Sequence, residues 1–251
     1  MQTKEKYLQR MGYTGTPKRD FETLHALQRS HLETIPYENL DIIRGVPLSL
    51  EINDIYEKVV VRRRGGYCFE LNALFAWLLR GLGFEVIDYF ARFLKEETTI
   101  PMRRHQVLHV ACDDGDFLCD VGVGGTIPRM PLPLTPGKVS RQGNEKYILE
   151  EDALLGKVLY EWRRDSWQKM YSFTSEPQLA VDFVAASFYC EKHHDSIFTK
   201  QDMVHIFTKE GRKSVAGREV RLFTPDGVQV LHPATEAAYH ELLKVHFGIE
   251  L

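Results

Sequence analysis

The sequence predicts an α+β protein whose helices and strands are segregated along the chain: a helical bundle, then an antiparallel sheet or barrel, then strands closed by one terminal helix. Three observations carry this. Apolar residues recur at spacings of three and four in the first third, most clearly at Leu71, Leu74, Phe75, Leu78, Leu79 and Leu82. From Phe84 onward, β-branched and aromatic runs of strand length take over, separated by Gly, Pro and Asp turns. Strands and helices do not alternate as βαβ units would, and neither a P-loop nor a dinucleotide glycine fingerprint is present.

The helices come first. Asp20 is placed to cap a helix carrying Phe21, Leu24, Leu27 and Gln28 that must stop before Pro36. Ile35-Pro36-Tyr37-Glu38-Asn39-Leu40 then reads as a turn or extended stretch. Ser49 is placed to cap a second helix through Ile52, Ile55, Tyr56 and Val59. The third follows Gly65-Gly66 and ends at Gly81 and Gly83. Strands are expected at Phe84–Leu94, Gln106–Cys112 and Phe117–Gly122, with Asp113-Asp114-Gly115-Asp116 as a hairpin signal between the last two. After a proline-rich loop come Tyr147–Glu150, Val158–Arg163 and Lys169–Phe173. A helix at Leu179–Tyr189, strands at Met203–Thr208, Glu219–Phe223 and Val228–Leu231, and a final helix from Thr235 to Phe247 complete the chain.

With 251 residues the chain can bury a substantial core, in one large domain or in two to three small ones. A net charge of −3 argues against a nucleic-acid-binding protein. Arg62-Arg63-Arg64, Arg103-Arg104 and Arg163-Arg164 read as solvated faces, although one beside a site would hold phosphates. The N-terminus lacks an apolar signal region and no apolar run approaches bilayer length, so no membrane partner is expected. Four cysteines with no C-x-x-C pair fit a reducing, cytoplasmic setting.

The chemistry centres on Arg64-Gly65-Gly66-Tyr67-Cys68-Phe69-Glu70-Leu71-Asn72. The glycine turn delivers Cys68 to the first turn of a helix, where outward N–H groups and the helix dipole favour a thiolate. The plain alternative is a small buried apolar residue. A thiolate nucleophile needs a base and an orienting group. His105 stands just before the strand Gln106-Val107-Leu108-His109-Val110, and Asp120 lies in the next strand. A hairpin turning tightly at Asp114-Gly115 would set Asp120 opposite His109, with His105 about 13 Å along the strand, so register alone favours His109. The Cys, His and Asp positions are too scattered for a metal site.

These motifs, taken in order, resemble those of the arylamine N-acetyltransferases: Ile35-Pro36-Tyr37-Glu38-Asn39-Leu40, Arg64-Gly65-Gly66-Tyr67-Cys68-x-Glu70-x-Asn72, His105 before an apolar strand, and Asp120-Val121-Gly122-x-Gly124. The resemblance covers most of the chain, is strongest from Ile35 to Gly125 and loosens after Phe173. It implies a cysteine-proteinase-like core with a helical bundle over residues 1–83, a β-barrel carrying the His and Asp over 84–192 and an α/β lid over 193–251. It also implies a Cys68–His105–Asp120 triad, because in the family the histidine lies fifteen residues before the aspartate. The implied reaction is ping-pong acetyl transfer from acetyl-CoA, without a metal, to a small arylamine, arylhydrazine or N-hydroxyarylamine. A cysteine hydrolase or amide synthase using the same triad is the alternative. On the same basis Gly124 and Gly125 would admit the pantetheine arm of CoA, Tyr37, Phe69 and Val123 would line the acceptor pocket, and Glu38, Arg64 and Asn72 would support the site. Three departures stand out: the family usually has Phe where Tyr37 and Val123 stand, and commonly Thr where Arg104 stands. The acceptor, acyl length and oligomeric state stay open.

Overall fold

Local capping signals start the helices. Thr3 caps α1 (Lys4–Arg10), accepting from the Lys6 N–H at 3.2 Å, and Asp20 caps α2 (Phe21–Thr34), accepting from the Thr23 N–H at 2.9 Å. The computed structural model describes residues 2–95 and 97–251; Met1, the first residue of the N-terminal run, lies outside the described residues. Two residues of strand, β1 (Tyr37–Glu38), separate α2 from the short α3 (Leu40–Ile43). The next helix, α4 (Ile52–Tyr56), runs on into a π-helical turn at Glu57–Val61. Ser49 does not cap it. Its hydroxyl donates to Asp54 at 2.6 Å, and Glu51 occupies the cap position.

α5 (Cys68–Gly81) forms as its periodicity requires. Leu71, Leu74, Phe75, Leu78 and Leu79 are fully buried, each contributing about 1.5–3 kcal/mol by burial. Its first turn is fixed by Glu70, whose carboxylate accepts from the Tyr67 N–H at 3.0 Å.

The chain then builds β2 (Glu85–Phe93), β3 (His105–Cys112), β4 (Gly115–Cys119), β5 (Leu132–Pro133), β6 (Ser140–Gln142), β7 (Glu145–Asp152), β8 (Gly156–Arg163) and β9 (Ser166–Phe173). These make one antiparallel sheet of order β5-β4-β3-β2-β9-β8-β7-β6, curled into a nearly closed barrel. A 3₁₀ turn at Ala180–Phe183 leads into α6 (Val184–Lys192). The remaining strands are β10 (Met203–Phe207), β11 (Arg212–Ala216), β12 (Glu219–Thr224) and β13 (Gly227–Leu231), and α7 (Glu236–Phe247) ends the chain. They form a second antiparallel sheet, β1-β10-β11-β12-β13, whose first strand comes from the helical region.

One apolar core joins the helices to the barrel. A smaller one, including Val204, Val215, Val220, Tyr239, Leu243 and Phe247, lies between the second sheet and α7. Among the described residues no helix is long and apolar enough to cross a membrane.

The β3–β4 hairpin corrects the register read from sequence. It turns at Asp113-Asp114, with Cys112 facing Gly115 and Leu108 facing Cys119, rather than at Asp114-Gly115. β4 ends before Asp120, which is released from the ladder and sits next to the end of β3 that begins with His105. His109 faces Leu118.

Candidate active site

Cys68 opens α5 and His105 opens β3. Asp120 is the first residue after β4. All three are buried, and the fold brings them together. His105 Nε2 donates to Asp120 Oδ2 at 2.7 Å, which fixes the imidazole tautomer. Its other nitrogen, Nδ1, is buried with no hydrogen-bond partner among the described residues. The Cys68 Sγ donates to the carbonyl of Arg104, the residue before His105, at 3.9 Å.

Asn72, one turn along α5 from Cys68, ties the parts together. Its Nδ2 donates to Asp120 Oδ1 at 2.9 Å and to the Gln106 carbonyl at 2.7 Å, and its Oδ1 accepts from the Val121 N–H at 2.9 Å. The Gly122 N–H adds a bond to Asp120 Oδ1 at 2.8 Å. Gly122 also shows why this loop needs glycine: a Cβ there would lie 2.7 Å from the Cys68 Cα and 2.6 Å from Asn72 Nδ2.

Burial acts against the expectation that the helix N-terminus lowers the Cys68 pKa. Desolvation pushes the thiol well above its ordinary value, the nearby Cys190 and Asp120 add to this, and the Phe69 and Gln106 backbone N–H groups oppose it only in part. The helix start is local, whereas the burial comes from the barrel packed against it.

The loop before Cys68 is held by a chain of buried and partly buried ion pairs. Arg64 Nη2 reaches Glu38 Oε1 at 2.8 Å and Asp41 Oδ1 at 2.9 Å. Lys58 Nζ reaches Asp41 at 2.8 Å and Glu70 at 2.9 Å. Glu38 and Arg64, both expected to support the site, are paired with each other here. Lys58 and Asp41 were not anticipated, because nothing local marks a lysine between apolar helix residues as paired. The backbone is pinned at the same place: Gly66 N–H donates to Pro36 O at 3.3 Å, and Glu38 N–H to Gly66 O at 2.8 Å.

Tyr171 was also missed. Its ring lies 5.6 Å from that of His105, and its phenol is raised by burial and by the charge of Asp120. Phe93 also packs on the imidazole, at 4.7 Å between ring centroids, and edge-on to Tyr171 at 6.1 Å.

The expected pocket residues divide. Tyr37 is buried, and its phenol is raised by burial and then by the charge of Cys68, placing it in the thiol's surroundings. Gly124 lies against the Tyr37 ring, where a Cβ would come within 2.5 Å, so its glycine serves this packing; Gly125 faces open space. Val123, immediately before Gly124, is half-buried. Phe69 instead packs its ring on Phe90 and Phe183 and lines a cavity beside α5.

Comparison with known proteins gives one answer by three routes. The sequence model of the N-acetyltransferase family matches residues 20–251. The arylamine N-acetyltransferase of Mycobacterium tuberculosis (strain ATCC 25618 / H37Rv) is 36% identical over 98% of this chain and 88% of its own length. That of Mycolicibacterium smegmatis is 34% identical over 98% of this chain and 91% of its own length. Among solved structures, the M. smegmatis arylamine N-acetyltransferase superposes with a TM-score of 0.93 at 33% identity, covering 100% of this chain and 93% of that one. The Mycobacterium marinum arylamine N-acetyltransferase in complex with CoA gives 0.89 at 32% identity, covering 98% of this chain and 93% of that one.

Proposed function

Because this chain belongs to the arylamine N-acetyltransferase family, we propose that it moves acetyl groups from acetyl-CoA to the nitrogen of arylamines and arylhydrazines by way of Cys68. The oxygen of N-hydroxyarylamines is a further acceptor under the same chemistry. The observation that carries the reading is the division of labour on His105: Nε2 is committed to Asp120, and Nδ1 is buried without a partner among the described residues, while the Cys68 thiol reaches the backbone carbonyl just before this histidine.

In the first half-reaction His105 Nδ1 takes the Cys68 proton as Sγ attacks the thioester carbonyl. The C–S bond to CoA breaks, and His105 returns the proton to the departing sulfur. Since burial holds the thiol in its protonated form, the base is needed at the moment of attack. Asp120 holds the imidazole tautomer and stabilises the imidazolium, while Asn72 and the Gly122 N–H hold Asp120. In the second half-reaction the amine nitrogen attacks the acetyl-cysteine carbonyl. His105 takes the amine proton and delivers it to the Cys68 sulfur as that leaves. Tyr37 and Val123 line the acceptor side; a phenol and a small aliphatic group there suit acceptors larger or more polar than aniline.

The test is direct. Acetyl-CoA alone should add one acetyl group to the protein, at Cys68, and the group should be absent in Cys68→Ala. Label on Cys112, Cys119 or Cys190 would sink the nucleophile. Steady release of acetate and CoA without a stable acyl-enzyme would favour a hydrolase.

A further inference from the structure

α5 is a wall shared by two spaces. Cys68 and Asn72 face the triad. Phe69, Ala73, Trp77 and Arg80, at spacings of three and four, form the adjacent face and line a cavity of about 610 Å³. That volume lies within the range of small-ligand sites. Phe183, at the end of the connection from the barrel to α6, closes it from the other side.

The cavity has a mainly apolar lining and one polar end. Phe69, Trp77 and Phe183 are the aromatic walls, a lining that favours a planar ring. At the polar end Arg80 Nη2 donates to Asp88 and to the Val86 carbonyl, and Gln106 Nε2 donates to Asp88 Oδ1 at 2.7 Å. The Asp88 carbonyl in turn accepts from the Gln178 N–H at 2.9 Å, which brings the Gln178 side chain to the same end. The two charges therefore neutralise each other. A charged ligand head would meet one favourable and one unfavourable charge and would lose its hydration besides.

What remains unused at this end is specific. Both Arg80 bonds come from Nη2, so Nε and Nη1 donate to no protein group among the described residues. The Gln106 side chain is 2% exposed, and its Oε1 accepts from no protein group among the described residues. A matching head must therefore accept from the guanidinium and donate to the amide oxygen while staying neutral. A secondary amide does both. An amine offers donors without a good acceptor, and an ester offers only acceptors.

We infer that the cavity beside α5 binds a neutral N-aryl amide, the chemical class of the acetylated product. This rests on the arylamine reading above and adds to it a seat for product separate from the thiol. The aryl ring lies between Trp77 and Phe183, the amide oxygen faces Arg80 and the amide N–H faces Gln106.

The experiment uses the full chain with Cys68 alkylated by iodoacetamide, so that the triad space is blocked. Acetanilide is titrated while tryptophan fluorescence is followed. Trp162 and Trp167 pack on each other at the β8–β9 turn, so Trp77→Phe identifies the reporter. Saturable quenching is expected in the alkylated protein and at least tenfold weaker binding in Ala73→Leu, which fills the cavity. Arg80→Met, on a partly exposed side chain, should also weaken binding and decides the matter if Ala73→Leu does not fold. Benzoate and benzylammonium should bind at least tenfold more weakly than acetanilide. Absence of saturable binding, equal binding by the cavity variant that folds, or equal binding of the charged probes overturns the assignment. Acetyl labelling of unalkylated protein is read in parallel. Label without amide binding removes this site alone; amide binding without label removes the catalytic reading alone.

Discussion

At one end of β3, His105 Nε2 lies 2.7 Å from Asp120; four residues along, His109 Nε2 lies 2.6 Å from Asp116. Measured only by contact the two pairs are equivalent, and their surroundings separate them. His105 and Asp120 are 0% and 3% exposed, His109 and Asp116 19% and 61%. The second nitrogen differs as well. His105 Nδ1 has no partner among the described residues, whereas His109 Nδ1 is bonded to the Tyr89 hydroxyl at 3.1 Å. A base needs one nitrogen held and one available, in a place where water does not compete for the proton. His109 has both nitrogens occupied in a partly wet setting. A His–Asp contact is thus not by itself a site, and what the remaining atoms do decides it.

The largest effect should come from breaking the two pairs separately. His105→Gln should lower acetyl transfer by about 10²–10⁴-fold, the usual contribution of a positioned base. His109→Gln should leave most of the activity. Reversed outcomes in a steady-state assay would show that the contrast drawn from burial and nitrogen occupancy is wrong. Asn72→Ala asks whether the buried pair depends on its support. It leaves Asp120 Oδ1 short of a donor and the Val121 N–H and Gln106 carbonyl without the Asn72 side chain. The expected loss is about 1–3 kcal/mol of stability, read as a lower denaturant midpoint at constant slope, together with slower acylation of Cys68.

The legible parts of the molecule are those whose causes are local. Asp20 caps its helix through a bond three residues away, and α5 follows from its own apolar spacing. Thr235 caps α7 in the same way. What escaped depends on distant partners. The segment Asp113-Asp114-Gly115-Asp116 permits more than one tight turn, and only the packing of β3 and β4 selects the one that sets Asp120 beside His105. β1 is extended in sequence, but its pairing with β10 joins residues separated by most of the chain. β11 contains Arg212, Lys213 and Ser214 and gives no apolar alternation to read. In the site, Cys68 stands out through the glycine turn before its helix, with His105, His109 and Asp120 as candidates around it, whereas the choice of His105 over His109 and the support roles of Glu38, Arg64 and Asn72 come only from ordered motifs that resemble a family. Lys58, Asp41 and Tyr171 carry no such mark, and neither does the burial that raises the Cys68 thiol.

A third histidine sharpens the role of burial without chemistry. His31 is fully buried beneath the helices: Nδ1 meets the Tyr7 hydroxyl at 2.8 Å, and Nε2 has no partner among the described residues. Desolvation, with a smaller contribution from the charge of Arg10, pulls its pKa down to about 3. The folded pKa lies below the unfolded value, so the unfolded chain takes up the proton first. Stability should be unaffected by this group above about pH 6.5 and fall as pH drops from there to about 3, by up to about 1.4 kcal/mol per pH unit. Chemical denaturation between pH 7 and 4.5 should show this loss and a shallower slope in His31→Asn. An identical slope would mean that the buried imidazole is not what acid attacks.

The smallest effect tests the exposed pair from its own side. Two side chains joined at 2.6 Å invite the view that they stabilise the β3–β4 hairpin. The physical argument goes the other way. Asp116 is largely in water, where the attraction between charges is weak, salt screens it, and holding both side chains in place costs rotamer entropy. A double-mutant cycle of His109→Gln and Asp116→Asn should therefore give a coupling of about 0–1 kcal/mol that shrinks further in high salt. The partner bond from Tyr89 to His109 Nδ1 survives in Asp116→Asn, so that variant should keep the imidazole in place and leave acetyl transfer unchanged. The matching cycle across His105 and Asp120 should behave differently. Each single variant there strands a buried polar group and already removes most of the rate, so the double variant adds little. If the exposed cycle instead gave several kcal/mol, or Asp116→Asn slowed the acylation of Cys68, the two ends of β3 would be energetically linked, and burial could no longer be what distinguishes the site from its neighbour.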